Sequence, residues 1–331
     1  MFSRHTVVRA ALALSASTAL TSLCSPAFAA DPPFPSKDIR FIVPWNAGGS
    51  NDIAARALAQ LLNEQGIRMI VENVPGATGS IGMQKVAGAE PDGYTLGMGT
   101  SSTLALMSQG LTPLKNSQFT PIARVTTDPL ILLVPTGSAQ GTLESFLAYT
   151  AKNSGKVSIG TPGSNNLNHI FAVMAGRAGN AEVVVVPYTG GSKVITDLAG
   201  KQIDAAVLKP SESKAQIDGN LVKPIGVFAE ERLKVLPDVP TFKEKGFNVF
   251  PYGPLVQMAY IVAPANLPPA IRDKLIAVFR TAIQSAKFKA TAEQGGALVD
   301  DVTGAALGKE IDAVTQSLGV VGKQVFVAEK K

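Results

Sequence analysis

The sequence predicts a mixed α/β protein of two lobes, each a mainly parallel sheet flanked by helices, with a cleft between them. Three observations carry this reading. A strand, a glycine-rich polar turn and a helix follow one another four times, twice before residue 130 and twice after residue 150, with no fixed period. Leu, Val, Ile and Ala dominate over the aromatics (14 Phe, 5 Tyr and one Trp), a balance suited to helices layered on parallel strands. With 46% apolar and 17% charged residues, the 331-residue chain can bury a sizeable core and is not composed like a disordered one.

Residues 1–29 read as a secretory signal peptide, cleaved after about Ala29, rather than as part of the fold. Arg4, His5 and Arg9 make a positive start, residues 10–23 an apolar run too short to span a bilayer comfortably, and Ala27, Phe28 and Ala29 a small-x-small cleavage signal. The one cysteine, Cys24, falls inside this segment, so thiol catalysis, disulfides and cysteine metal sites are excluded from the mature chain. Losing Arg4 and Arg9 takes Lys+Arg from 30 to 28 against 25 acidic residues, a net charge of +3. That is too mild to point to nucleic acid and mildly favours small anions.

The first unit spans residues 39–62. Ile39, Phe41, Ile42 and Val43 form a buried strand that stops at Pro44, and Ile53, Ala57, Leu58, Leu61 and Leu62 mark one face of a helix. Between them Gly48 and Gly49 let the backbone approach a bound group, and Ser50, Asn51 or Asp52 caps the helix. A helix start of this kind has free N–H groups and partial positive charge, which suits a carboxylate or phosphate. Most such turns nevertheless bind nothing.

A strand at 69–74 turns through Gly76, Ala77 and Thr78 into a helix at 84–89. A strand at 94–98 ends in Thr100, Ser101 and Ser102, hydroxyls at a strand's carboxyl end, where ligands of open α/β sheets collect. Their alternative role is to cap the next helix. Residues 129–135 are a continuous apolar strand. The second set has a helix at 143–153, a strand at 156–160, a polar turn at 161–169 entering a helix, and a strand at 183–186 ending in Tyr188 and Thr189. A helix at 193–199 and a strand at 203–208, ending at Lys209, follow. A strand at 225–228, an extended return at 230–252, a strand at 259–263 and helices at 269–286 and 303–316 complete the pattern. The strands at 129–135 and 225–228 are the natural crossovers. Residues 30–132 and 229–331 are thereby assigned to the first lobe and 133–228 to the second.

Single residues in these turns carry candidate roles. Trp45, the only tryptophan, sits in a glycine loop and needs a large surface to bury; a wall beside a bound carboxylate is favoured over packing on a helix. Lys209 is either a second carboxylate anchor across the cleft or a solvated lysine at a strand end. Asn165, Asn166 and His169 cluster three polar donors in one turn, against the alternative of a first-turn histidine that caps or packs. Arg56 lies one turn into its helix and buttresses the loop. No second histidine or cysteine is available to share a metal with His169, and no cofactor is expected.

The chain resembles the tripartite tricarboxylate transporter substrate-binding proteins, the Bug or TctC-like receptors, along essentially its whole mature length. The likeness runs through residues 34–44, 47–56 (Ala-Gly-Gly-Ser-Asn-Asp-Ile-Ala-Ala-Arg), 71–77 (Val-Glu-Asn-Val-Pro-Gly-Ala), 91–96, 186–190 and 236–241. It departs at Trp45, commonly Phe, at Lys209, and at residues 250–260, which lack a Trp-x-Gly turn. The resemblance implies a two-lobed, type II-like periplasmic binding protein fold that closes on a small organic acid and hands it to membrane permease subunits. It implies that Trp45, Asn46, Ala47, Gly48 and Gly49, with Gly76, Ala77 and Thr78, hold one carboxylate. Gly163, Ser164, Asn165, Asn166 and His169, with Tyr188 and Thr189, would then select the rest of the ligand. The implied protein is a periplasmic monomer, with a sensor kinase as an alternative partner.

The alternative function is a periplasmic ligand-sensing subunit feeding a two-component system, and an enzyme of nucleotide chemistry ranks below it. Gly76, Gly79 and Gly82 are spaced GxxGxxG rather than GxGxxG, no GxxxxGK[ST] occurs, and no catalytic dyad is visible. A di- or tricarboxylate, an aromatic acid or an acidic amino acid fits two anion-friendly lobes. The last is disfavoured because no loop aspartate is poised to take an ammonium group.

Overall fold

In the computed structural model, which describes residues 34–251, 255 and 257–326, ten strands form two five-stranded sheets. The expected signal peptide lies outside the described residues, all of which belong to one unit, Phe34–Lys331. In chain order the strands are β1 (Ile39–Val43), β2 (Met69–Asn73), β3 (Thr95–Thr100), β4 (Phe119–Thr127), β5 (Leu130–Pro135), β6 (Ser158–Pro162), β7 (Val184–Tyr188), β8 (Ala205–Leu208), β9 (Val222–Phe228) and β10 (Met258–Pro264). The helices are α1 (Ser50–Glu64), α2 (Ser80–Ala87), α3 (Ser101–Ser108), α4 (Leu143–Lys152), α5 (Leu167–Ala178), α6 (Gly191–Ala199), α7 (Pro210–Asp218), α8 (Pro269–Gln284), α9 (Ala286–Gln294) and α10 (Gly304–Phe326).

The two sheets share one plan. The first runs β2-β1-β3-β10-β4 and the second β7-β6-β8-β5-β9. In each, three strands pair in parallel through helical crossovers, and a fourth strand, β10 or β5, inserts antiparallel beside them. Four of the five strands in each sheet therefore point the same way. The expectation of two mainly parallel sheets flanked by helices describes this architecture.

The boundary expected at residue 132 is corrected. β5 pairs along its length with β8 and β9, so residues 130–132 belong to the second sheet. The chain crosses from one sheet to the other at Asp128 and Pro129, and returns through residues 229–257. The apolar strands at 129–135 and 225–228 are thus neighbours inside one sheet rather than the crossings themselves. The two crossings touch where the Asp128 N–H donates to the Gln257 carbonyl at 2.7 Å.

Local chemistry explains the helices that position the cleft. In α1, Ala55, Leu58, Leu61 and Leu62 are buried against the first sheet, while Ile53, expected on that face, is exposed. α5 begins where the Asn166 side chain accepts the His169 N–H at 3.0 Å, an N-cap bond. α7 begins with Pro210 at its first position and Glu212 at its third; the Glu212 carboxylate accepts the Lys209 N–H at 3.3 Å. One apolar cluster runs through both lobes, from Leu104 and Leu318 to Phe171 and Phe228, and α10 packs on both α3 and α5.

Candidate functional site

β1 lies between β2 and β3, and β6 between β7 and β8, so the order of each sheet reverses beside its first parallel strand. Crevices at such reversals, outside the strands' carboxyl ends, are where open α/β sheets bind ligands. The loops after β1, β3, β6 and β8 all reach one cleft between the lobes. It is lined by Trp45, Asn46, Gly49, Ser50, Asn51, Thr100, Ser102, Pro162, Asn168, Gly190, Gly191, Ser192, Lys209, Glu212 and Gln257. Five helices begin at this wall: α1 and α3 from the first lobe, α5, α6 and α7 from the second. Each brings unpaired first-turn N–H groups and the positive end of a helix dipole. The cleft holds about 450 Å³ of empty space counted out to its mouth, but its interior is pinched to about 20 Å³, room for one water-sized body.

The first loop is pinned from behind. Asp52, buried at the start of α1, accepts the Gly48 N–H at 2.9 Å and is bonded by Arg56 and Asn73. Asn73 also donates to the Trp45 carbonyl at 3.1 Å. Burial pushes the Asp52 carboxyl up, but the bonds from Arg56, Gly48 and Asn73 outweigh it and the group titrates below the ordinary carboxylate range. Arg56 therefore buttresses the loop, as its spacing implied.

On the far wall Lys209 is buried and its ammonium lies 3.2 Å from Asp128, which also accepts the Thr126 hydroxyl at 2.7 Å. Glu212 lies beside them, with one carboxylate oxygen 3.4 Å from the Ser50 hydroxyl of the opposite lobe. It presses on the start of α6 so closely that a Cβ at Gly191 would meet its carboxylate at 2.7–2.9 Å. Burial raises the Glu212 carboxyl above its ordinary value, and the nearby Lys209 offsets this only in part. Three cleft atoms, Trp45 Nε1, Asn51 Oδ1 and Gln257 Oε1, are buried without a hydrogen-bond partner among the described residues.

Of the residues singled out from the sequence, Trp45, Asn46, Gly49, Asn51, Thr100, Ser102 and Lys209 line the cleft. Others join the lobes beside it. Asn46 donates to the Thr189 hydroxyl at 3.1 Å, Thr78 to the Ser164 carbonyl at 3.3 Å, and Gln109 to the Asn165 carbonyl at 2.8 Å. Gly163 approaches Thr78 so closely that a Cβ would meet its hydroxyl at 2.8 Å. Gly76 is half-buried, with an added Cβ running into Ile81, and Ala47, Gly48 and Ala77 are exposed and outside the lining. Ser101 accepts the Met258 N–H at 3.0 Å. Tyr188 packs against the second lobe's own core, and burial with the neighbouring Asp197 raises its pKa. Asn166 caps α5 and also donates to the Pro162 carbonyl, and His169 accepts the Asn165 N–H on Nδ1 with its ring edge-on to Phe326.

Sequence reasoning missed Glu212 and Gln257 as lining, placed Pro162, Asn168, Gly190, Gly191 and Ser192 in the two polar turns without singling them out, and named Ser50 only as a cap. Lys-Pro-Ser-Glu was a readable helix start, with Pro at the first position and Glu at the third. Gln257 carries no local signal, because the return of the chain brings it in. A wider groove, about 1290 Å³ out to its mouth, runs between residues 229–235 and 293–299. There Glu230, Arg232 and Lys234 are already paired with Lys243, Glu244 and Glu293.

Comparison with known proteins places this architecture. Residues 53–306 match the TctC family, described as tripartite tricarboxylate transporter family receptor. A UPF0065 protein of Agrobacterium vitis is 32% identical over 255 residues, covering 76% of this chain and 72% of that one. The periplasmic binding protein BugD is 27% identical with a TM-score of 0.82, covering 89% of this chain and 99% of that one. MatC of Rhodopseudomonas palustris, solved with bound malate, is 25% identical with a TM-score of 0.80, covering 87% and 100%. With the family match spanning most of its length, the chain belongs to the TctC family of tripartite tricarboxylate transporter receptors.

Proposed function

We propose that this protein is a periplasmic receptor that captures a small organic carboxylate by lobe closure and delivers it to the membrane subunits of a tripartite transporter. The observation that carries the reading is the convergence of five helix starts, from both lobes, on one cleft with unpartnered buried polar atoms. Each helix start stabilises a nearby anion by about 0.3–1 kcal/mol at an exposed site and ~2 kcal/mol when partly buried. Several acting together with charge-assisted hydrogen bonds reach about −8 kcal/mol, micromolar affinity. The malate bound to MatC supports a carboxylate of this size. Export through the signal peptide at residues 1–29 fits the same compartment.

No bond is made or broken in this mechanism. Ligand entering between the parted lobes touches both walls only after they close, so it shifts the open–closed equilibrium by that extra affinity. The bonds from Asn46 to Thr189 and from Ser50 to Glu212 are those that re-form on closure.

The reading is tested by the melting temperature of the mature chain with di-, tri- and aromatic carboxylates, and by Gly49→Asp. Gly49 caps α1 with φ −79°, a conformation any residue adopts, and an added Cβ comes no nearer than 3.4 Å to another atom. Asp is a favoured N-cap, so the helix keeps its start while a negative charge enters the carboxylate site. A binding acid at a hundredfold excess over its Kd stabilises the fold by about 2.7 kcal/mol. Gly49→Asp should weaken that acid at least about tenfold. No stabilisation by any acid, or equal affinity in the variant, would contradict the reading.

A further inference from the structure

A second cavity lies inside the first lobe, between β4 and β10 of its sheet and the helices α2, α3 and α10. Its interior is about 310 Å³, of about 800 Å³ counted out to its mouth, and it shares no lining residue with the cleft. Met83, Met107, Phe119, Val262 and Ile311 make its walls apolar. Close-packed interiors hold few voids larger than a water, and an apolar cavity of about 150 Å³ already takes a benzene ring. A void forfeits contacts along its whole lining, so a fold that keeps one of this size gains from an occupant.

One polar group inside the cavity has no partner. Tyr260 is 3% exposed and lines the cavity, and its hydroxyl makes no hydrogen bond to any described residue. Its ring lies against Gly99, where an added Cβ would clash with the ring and its hydroxyl. Burial pushes the Tyr260 hydroxyl pKa up, so the group is a neutral donor. The other interior hydroxyl, on Thr103, is spent on the Thr78 carbonyl at 3.2 Å. At the rim Asn116 donates to Asp312 at 2.9 Å and to Thr315 at 3.1 Å. No lysine, arginine or histidine is among the described lining residues, and Asp312 puts a negative charge at the mouth, an arrangement that disfavours anions.

We propose that this cavity is a second ligand site, for a neutral, ring-sized apolar molecule with one acceptor oxygen, such as an aromatic ketone, held by a hydrogen bond from the Tyr260 hydroxyl. The two methionines suit such an occupant, because flexible thioethers adapt to a ring and favour contact with its edge. The site differs from the carboxylate cleft in lining and in charge, and it does not depend on the receptor reading.

The test is a ligand-observed NMR titration of the mature protein with acetophenone and with ethylbenzene, which has the same ring and nearly the same shape but no acceptor. Acetophenone should bind with a Kd of about 1 mM or tighter, and at least about threefold more tightly than ethylbenzene, as expected of one hydrogen bond to a buried donor. Tyr260→Phe removes the hydroxyl alone, so the two compounds should then bind alike. Gly308 lines the cavity on α10, where an added Cβ would come no nearer than 3.5 Å to Pro121. Gly308→Leu should therefore fill the space, keep the fold and abolish binding of both compounds. A melting curve for each variant confirms that it is folded. Benzoate, which has the ring but carries a charge, should fail to displace acetophenone.

Absence of binding by both compounds would show a cavity filled by water alone and overturn the proposal. Equal affinity of the two in the wild type would overturn it, as would an acetophenone preference that survives Tyr260→Phe. Displacement by benzoate, or binding undiminished in a folded Gly308→Leu, would put the molecule elsewhere and overturn it too. None of these outcomes bears on the carboxylate cleft.

Discussion

His169 shows how a polar cluster in a sequence resolves into structure. Asn165, Asn166 and His169 are tied to one another: Asn166 caps α5 by accepting the His169 N–H, and His169 Nδ1 accepts the Asn165 N–H at 3.1 Å. Burial lowers the imidazole pKa to about 4 from its ordinary 6.5. The folded state therefore holds the neutral ring, and its Nδ1 lone pair is the acceptor that protonation would remove. Stability from this group is fully present above pH 6.5 and falls as pH drops through 6.5 toward 4, because the unfolded chain takes up the proton first. Urea denaturation of wild type and His169→Gln measures it. Between about pH 7.5 and pH 4 the difference between them should move in the variant's favour by about 3 kcal/mol. A constant difference across that range would show that His169 titrates normally.

At the scale of elements, the approach of helix to strand holds the loop that carries Trp45. α2 lies so close to β1 that a Cβ on Gly82 would come 2.8 Å from both Pro44 Cβ and the Val74 carbonyl oxygen. Proline ring and backbone cannot swing aside as a long side chain does. Gly82→Ala should therefore cost about 1–3 kcal/mol of stability as α2 is pushed off the sheet. Chemical denaturation reads this directly, and an unchanged midpoint would mean that α2 yields freely.

The same scale shows what could be read from the chain. Nine of the ten strands were legible as short runs rich in Val, Ile and Leu, the mark of strands in sheets covered by helices. β4 was not, since Pro121 and Arg124 interrupt its pattern. It is an edge strand, where proline is tolerated, and Arg124 pairs with Asp300 and Glu310, far along the chain. α3 and α7 were passed over because hydroxyls and Pro210 read as loop, although each is a helix start. The site was legible to the same degree. Trp45, Gly49 and Thr100 sit on recognisable strand ends, whereas Glu212 and Gln257 reach the cleft only through tertiary packing. Residues 76–78 and 163–165 carry equally strong turn signals but bridge the lobes, because their place relative to the cleft is set by strand order.

At the scale of the whole molecule, two sheets of one plan exchange a single strand direction each and are joined by two adjacent crossings, at 128–129 and 229–257. Hinged lobes of this kind close around a ligand by rotating about a few linker residues. The interior of about 20 Å³ is smaller than a four-carbon acid, and under the proposed receptor role the walls part to admit one and re-form around it. The central claim is that a carboxylate binds in this cleft, and Trp45 is the natural reporter. It is the only tryptophan, it lines the cleft, and its Nε1 is unpartnered among the described residues. The most direct measurement is a fluorescence titration of the mature protein with an acid that raises its melting temperature. A saturable change in Trp45 emission, with a midpoint equal to the calorimetric Kd and lost in parallel with affinity in Gly49→Asp, is the predicted result. Thermal stabilisation with Trp45 emission unchanged at saturation would place the ligand outside the cleft and contradict the account.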